Sequence, residues 1–67
     1  MTRNEALEEF GLTTEEAGFA LDIMDWANRE DFVISFIHKF GCGFGKAQEA
    51  YTFAQWANRP ENIHIFY

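Results

Sequence analysis

Apolar residues recur along this chain at intervals of three and four positions, which is the spacing of one face of an α-helix. Capping residues and glycines separate these stretches. They divide the chain into four predicted helices, over residues 3–10, 14–27, 30–40 and 46–57. The pattern therefore predicts an all-α fold of four short helices.

The first two helices begin at sequences that are typical of capping boxes. Thr2 with Glu5, and Thr13 with Glu16, have the Thr-x-x-Glu spacing in which side chains and backbone cap each other. We therefore place these two helix starts directly after the threonines.

Glycine, asparagine and proline mark the predicted helix ends. Gly11 follows helix one at a position that favours left-handed backbone, and Asn28 is the predicted end of helix two. Three glycines within residues 41–45 predict a turn, because glycine is costly inside a helix. Pro60 stops helix four.

Two segments have a composition that also suits β-strands. Residues 32–37 are rich in β-branched and aromatic side chains, but they do not alternate cleanly, so a helix is favoured. The C-terminal arm, residues 61–67, places Ile63 and Ile65 on one side if it is extended. We expect an extended arm packed over the bundle; the alternative is a strand that pairs with another chain.

The chain resembles itself at a shift of 30 residues. Eight identities fall between residues 10 and 29, whereas average composition gives about one or two. They include Trp-Ala-Asn-Arg, at 26–29 and again at 56–59. We interpret the chain as two pseudo-repeated helical hairpins of about 30 residues, over 2–29 and 30–60, related by an approximate two-fold axis. The alternative is coincidence in a chain rich in Phe and Ala.

Small and large apolar residues have separate predicted roles in the core. Alanines are expected where helices approach closely, at Ala17, Ala20, Ala47, Ala50 and Ala54. The bulk is expected from Phe10, Phe19, Leu21, Ile23, Met24, Phe36, Ile37, Phe40, Phe53 and Trp56. Trp26 and Trp56 are each predicted to plug one end of the core, the alternative being that they anchor a partner.

Composition describes one folded domain, residues 1–67. Hydrophobic residues make up 48% and aromatic residues 18%, and no apolar run is long enough for a membrane span. The lone Cys42 suits a reducing compartment, and the N-terminus has no apolar signal region, so we expect a cytoplasmic protein. So large an apolar load on a small domain favours dimerisation through helix three or the C-terminal arm.

Charge is concentrated in the first half of the chain. Residues 1–31 hold nine acids against two arginines, whereas residues 32–67 sum to +1 within the net charge of −6. Such a balance argues against direct binding to nucleic acid or to anionic membrane, because like charges repel. An electrostatic partner should therefore be a protein with a basic patch, and it should meet the N-terminal half.

The predicted function is that of a small acidic protein-interaction module without enzymatic activity. Its most specific form is an inhibitor of the phage or mobile-element type, which mimics DNA and occludes the nucleic-acid-binding surface of a partner. The predicted partner-binding residues are Glu8, Glu15, Asp22, Asp25, Arg29 and Arg59. The simpler interpretation is that these acids only keep the domain in solution. The alternative function is a helix-turn-helix DNA-binding regulator, since residues 7–21 contain helix, turn and helix.

Catalytic, metal and cofactor sites are not predicted. His38, Cys42 and His64 lack a recognised metal-ligand spacing, and no carboxylate is placed near them in sequence to orient a nucleophile. The segment 41–46 is rich in glycine and ends in lysine, but it lacks the spacing of a phosphate-binding loop.

Overall fold

Five helices and no strand form the protein, in a computed structural model that describes residues 1–67. They are α1 (Arg3–Phe10), α2 (Thr14–Met24), α3 (Arg29–Phe40), α4 (Phe44–Ala57) and α5 (Ile63–Phe66). The predicted all-α class is confirmed, and residues 32–37 are helical.

Both predicted capping boxes are present. The Glu5 backbone N–H donates to Thr2 Oγ1 at 3.2 Å, and the Thr2 N–H donates to Glu5 Oε1 at 2.9 Å. Thr13 and Glu16 make the same pair of bonds, at 3.1 Å and 2.9 Å. These bonds satisfy backbone donors that would otherwise lack a partner at the helix starts.

The glycine-rich turn is shorter than predicted. Gly41 has φ of 63° and ends α3, a conformation that glycine adopts without steric cost. Gly43 has an extended conformation and is the N-cap of α4, so the helix begins at Phe44, two residues before the predicted start. Gly11, with φ of 68°, ends α1 as predicted.

Asn28 begins a helix, and the prediction that it ends α2 is wrong. The last residue of α2 is Met24, and the Asp31 N–H donates to Asn28 Oδ1 at 2.9 Å at the start of α3. Asparagine is among the strongest N-cap residues, so Asn28 caps the start of α3 and does not end α2. Residues 25–27 consequently lie in the connection between α2 and α3.

The tail is helical, and the prediction of an extended arm is wrong. The Ile63 N–H donates to the Arg59 carbonyl at 3.0 Å, and the Tyr67 N–H donates to the Ile63 carbonyl at 2.9 Å. With no strand beside it, the tail satisfies its backbone groups locally, within a helical turn. Phe66 packs against the bundle, with its ring 5.1 Å from that of Phe53.

Helix α4 lies at the centre of the bundle and packs against all four other helices, most extensively against α2 and α3. It buries five residues completely: Ala47, Ala50, Phe53, Ala54 and Ala57. All five predicted close-packing alanines are buried, and ten further apolar side chains pack around this core at partial exposure. Sequence reasoning missed Phe32, which is fully buried with its ring 5.1 Å from that of Tyr51.

Candidate partner-binding surface

The acidic residues that were predicted to bind a partner are all exposed. Glu8 lies on α1, Glu15 and Asp22 lie on α2, and Asp25 directly follows α2. None of them forms an ion pair, because Glu16 with Lys46 is the only pair within 4.0 Å. Their charges are therefore not neutralised within the molecule.

The order of these acids along α2 follows from helical geometry. Glu15 and Asp22 are two turns apart on the same helix, on the side away from the buried Ala17 and Ala20. Asp25 keeps helical backbone, with φ of −69° and ψ of −25°, and so it extends the same row by one turn. The three carboxylates form a row along one solvent-facing side of α2.

The two predicted arginines are not part of this row. The backbone leaves the helical conformation before Arg29, which is the first residue of α3. Its guanidinium carbon lies 5.9 Å from the centre of the Tyr51 ring on α4, a cation–π distance. Arg59 is exposed beyond the end of α4. Arg29 does not extend the acidic row, because the connection at 25–28 interrupts the helix.

The two tryptophans occupy different environments. Trp56 is half-buried and packs against the rings of Phe10 and Phe66, at 5.5 Å and 6.0 Å, as predicted for a core plug. Trp26 is 66% exposed, so the same prediction is wrong for it. The reason is local: α4 continues through Trp56, whereas α2 ends two residues before Trp26. An exposed tryptophan thus stands directly after Asp25, at the end of the acidic row.

Lys46, on the central helix α4, makes polar contacts with the acidic half of the chain. Lys46 Nζ lies 3.4 Å from Glu16 Oε1 and donates to the Gly11 carbonyl oxygen. It therefore joins the first turn of α4 to the connection between α1 and α2. The remaining acids of α2 face solvent without a cation.

Two adjoining grooves lie between α3 and α4, and sequence reasoning did not identify them. The larger has a volume of about 410 Å³ and is lined by Arg29, Glu30, Val33, Ile34, Phe44 and Gln48. The smaller, of about 270 Å³, is lined by Arg29, Gln48, Tyr51, Thr52 and Gln55. Ile34 and Phe44 are 66% and 60% exposed. A signal was present in the sequence, since Ile34 lies outside the apolar spacing of Val33, Phe36 and Ile37.

No three His, Cys, Asp or Glu side chains are grouped in a way that could hold a metal ion. Cys42 is a free, half-buried thiol packed against the core. The pKa of Glu5 is lowered, because the Thr2 backbone N–H and then the Thr2 side chain hydrogen-bond to its carboxylate.

None of the helices is both long and apolar enough to cross a lipid bilayer. No protein-family model, curated protein or solved structure matches this chain.

Proposed function

We propose that this protein is a small acidic interaction module without enzymatic activity, which binds a basic surface of a partner protein. The acidic surface, defined as Glu8, Glu15, Asp22, Asp25 and the adjacent Trp26, makes the contact. The observation that carries the proposal is the row of exposed, unpaired carboxylates on α2, which ends at an exposed tryptophan.

The position of two of these acids argues that they are more than a solubilising feature. Asp22 lies in the last turn of α2 and Asp25 caps it, and this turn contains no basic residue. Carbonyl groups give a helix C-terminus partial negative charge, so acids there lower the stability of the helix. By contrast, the last turn of α3 holds His38 and Lys39, the favourable arrangement. Acids placed elsewhere on the surface would give the same solubility without this loss of helix stability. A binding surface, by contrast, needs its charges at the positions that the partner contacts.

Trp26 supplies what carboxylates alone lack. Charges accelerate and orient encounters, but a few well-packed residues near the centre of an interface carry most of its affinity. A tryptophan contributes a large contact area, and it is among the residue types enriched in binding hot spots. The acids then orient the basic partner, and the indole ring anchors it.

The most specific form of the proposal is occlusion of a nucleic-acid-binding surface. A protein that binds DNA or RNA presents arginines and lysines to a row of phosphates. A row of carboxylates along a helix offers such a surface a competing row of negative charge. The protein would then act in the cytoplasm as an inhibitor of a nucleic-acid-processing partner, of the type that phages and mobile elements encode.

Charge reversal tests the proposal. The native chain is used as bait in its host extract, beside a variant carrying Glu15→Lys, Asp22→Lys and Asp25→Lys. A matched control carries Glu49→Lys and Glu61→Lys, which reverse exposed acids of the other half of the chain. We expect a basic protein to be retained by the native and control baits, released by duplex DNA, and lost with the triple variant. Equal retention by all three baits would exclude the acidic surface.

A helix-turn-helix regulator remains the second candidate, because α1, a turn at Gly11 and α2 follow in that order. The exposed positions of α2 oppose it, since they carry Glu15 and Asp22 and no cation. A mobility-shift assay at low salt distinguishes the two functions. A shifted DNA would support the regulator, and it would contradict the acidic module.

We also propose that the two halves descend from one duplicated hairpin. Gly11 and Gly41 share left-handed backbone and end the first helix of each half. Thr13 and Gly43, which are 30 positions apart, are both extended N-caps. The two halves differ in how their helices pack. Helix α3 packs along α4, the other helix of its hairpin, whereas α1 contacts α4 more than it contacts α2, the other helix of its own hairpin. Superposition of residues 2–29 on residues 32–59 is the direct test.

A further inference from the structure

The larger groove between α3 and α4, here called the α3–α4 groove, lies outside the acidic surface. It is lined by Arg29, Glu30, Val33, Ile34, Phe44 and Gln48. We propose that a second copy of this chain occupies it, forming a two-fold symmetric dimer. The inference is independent of the proposed function, because it uses none of the acids or the tryptophan that define the acidic surface.

Two large apolar side chains at this groove are exposed to solvent. Ile34 and Phe44 are 66% and 60% exposed, although Val33, directly beside Ile34 in the chain, is buried. They come from different helices and line the same groove of about 410 Å³. In a two-fold dimer each copy places its Ile34 and Phe44 against the groove of the other, which removes four apolar side chains from water.

The charges at the groove favour a second copy over a partner of one predominant charge. Arg29 and Glu30 are adjacent, opposite in charge and exposed, and neither forms an ion pair within the chain. A symmetric interface contacts the same patch on both copies, and in the proposed dimer Arg29 of one copy meets Glu30 of its mate. A strongly basic or strongly acidic partner would leave one of these two charges repelled.

The distribution of charge along the chain also favours self-association through this face. Residues 1–31 sum to −7, whereas residues 32–67, which supply Val33, Ile34, Phe44 and Gln48 to the groove, sum to +1. Repulsion between two copies is therefore smallest when they meet through the second half of the chain.

The exposed area predicts a weak dimer. Ile34 and Phe44 expose roughly 250 Å² between them, whereas a standard stable interface buries about 800 Å² on each partner. Surrounding polar residues of the groove add to the contact but little to its affinity. We therefore expect a dissociation constant in the range of about 10 µM to about 1 mM.

Sedimentation equilibrium on the full chain, from about 5 µM to about 2 mM at about 0.15 M salt, measures this association. We expect the average mass to rise from the monomer value of 7.8 kDa towards twice that value. Phe44→Ser should weaken the association at least about tenfold, whereas Trp26→Ser, which removes an equally exposed aromatic ring elsewhere, should leave it unchanged.

Charge exchange provides a readout that does not depend on apolar area. Arg29→Glu alone brings two acids together across the interface and should abolish the dimer, while Arg29→Glu with Glu30→Arg restores opposite charges and should recover it. Circular dichroism verifies that each variant is folded. A monomer at every concentration, or equal loss with Trp26→Ser and Phe44→Ser, would overturn the proposal.

Discussion

Lys46 and Glu16 form the only ion pair of the chain, with Nζ of the lysine 3.4 Å from Oε1 of the glutamate. The two residues are 30 positions apart, which is the shift at which the chain shows eight identities with itself. Their side chains are 35% and 15% exposed, so solvent screens the pair in part. Lys46 also donates to the Gly11 carbonyl, which makes it the polar link between α4 and the α1–α2 connection.

Lys46→Met should therefore lower the free energy of unfolding by about 1 kcal/mol. The methionine keeps the apolar stem but removes both polar contacts. Urea denaturation followed by circular dichroism measures the change. Arg59→Met is the matched control, because Arg59 is exposed and forms no ion pair, and it should change the stability by less than about 0.5 kcal/mol. Equal effects of the two variants would show that the Lys46 contacts do not stabilise the fold.

Alanine at two nearby glycines should have opposite effects. Gly41 has φ of 63°, where a Cβ atom is strained, so Gly41→Ala should destabilise the fold by about 1 kcal/mol. Gly45 lies in the first turn of α4 and has open space around its Cβ position, so an alanine fits there. Gly45→Ala should stabilise by up to about 1 kcal/mol, because alanine has the higher helix propensity and the lower entropy in the unfolded chain. Thermal unfolding of both variants gives the sign of each change, and a stabilising Gly41→Ala would contradict the left-handed turn.

The start of α1 should weaken in acid. The hydrogen bonds from Thr2 lower the pKa of Glu5 below 4.5, so the carboxylate stabilises the folded state at pH values above 4.5. That contribution is lost as the pH falls through the lowered pKa. In Glu5→Gln this part of the acid sensitivity should be absent, whereas Glu8→Gln, on the same helix without a cap contact, should retain it. The slope of stability against pH between about 5 and about 3 measures the difference, and equal slopes would contradict it.

Local chemistry made some of these features predictable, and tertiary context hid others. The capping pair Thr13 and Glu16 is complete within four residues, so the sequence alone locates the start of α2. The burial of Trp26 and Trp56 depends instead on the residue at which each helix ends. The identical Trp-Ala-Asn-Arg segments do not determine that residue. The spacing of apolar residues along α3 indicates that Ile34 lies off the buried face, but the α3–α4 groove also requires the relative placement of two helices, which that spacing does not specify.

The difference between the tryptophans should be visible in fluorescence. In Trp56→Phe the remaining indole is Trp26, which is 66% exposed, so its emission should lie near that of free tryptophan and be quenched readily by iodide. In Trp26→Phe the remaining Trp56 packs against Phe10 and Phe66, and it should emit at shorter wavelength with weaker quenching. Similar quenching of both variants would contradict the separate environments.

Replacing Trp56 should also lower the free energy of unfolding more than replacing Trp26. Trp56→Ala should lower the free energy of unfolding by about 3 kcal/mol, because it removes a packed ring from one end of the core. Trp26→Ala should change it by less than about 0.5 kcal/mol, since the exposed ring has little packing to lose. Urea denaturation of the two variants, followed by circular dichroism, checks this order, and comparable losses would contradict it.

The acids of α2 allow a functional surface to be distinguished from a solubilising one. Asp22→Asn and Asp25→Asn remove negative charge from the C-terminal end of the helix, so each should stabilise the fold by about 0.5 kcal/mol. Glu15→Gln removes a charge from the first turn of the same helix, where it is favourable, and should destabilise by a similar amount. Urea denaturation at low salt measures all three. If the acids bind a partner, the two stabilised variants should also bind it less tightly, as expected where function is retained at a cost to stability. Unchanged binding in Asp22→Asn and Asp25→Asn, despite their greater stability, would leave these acids with no role in binding.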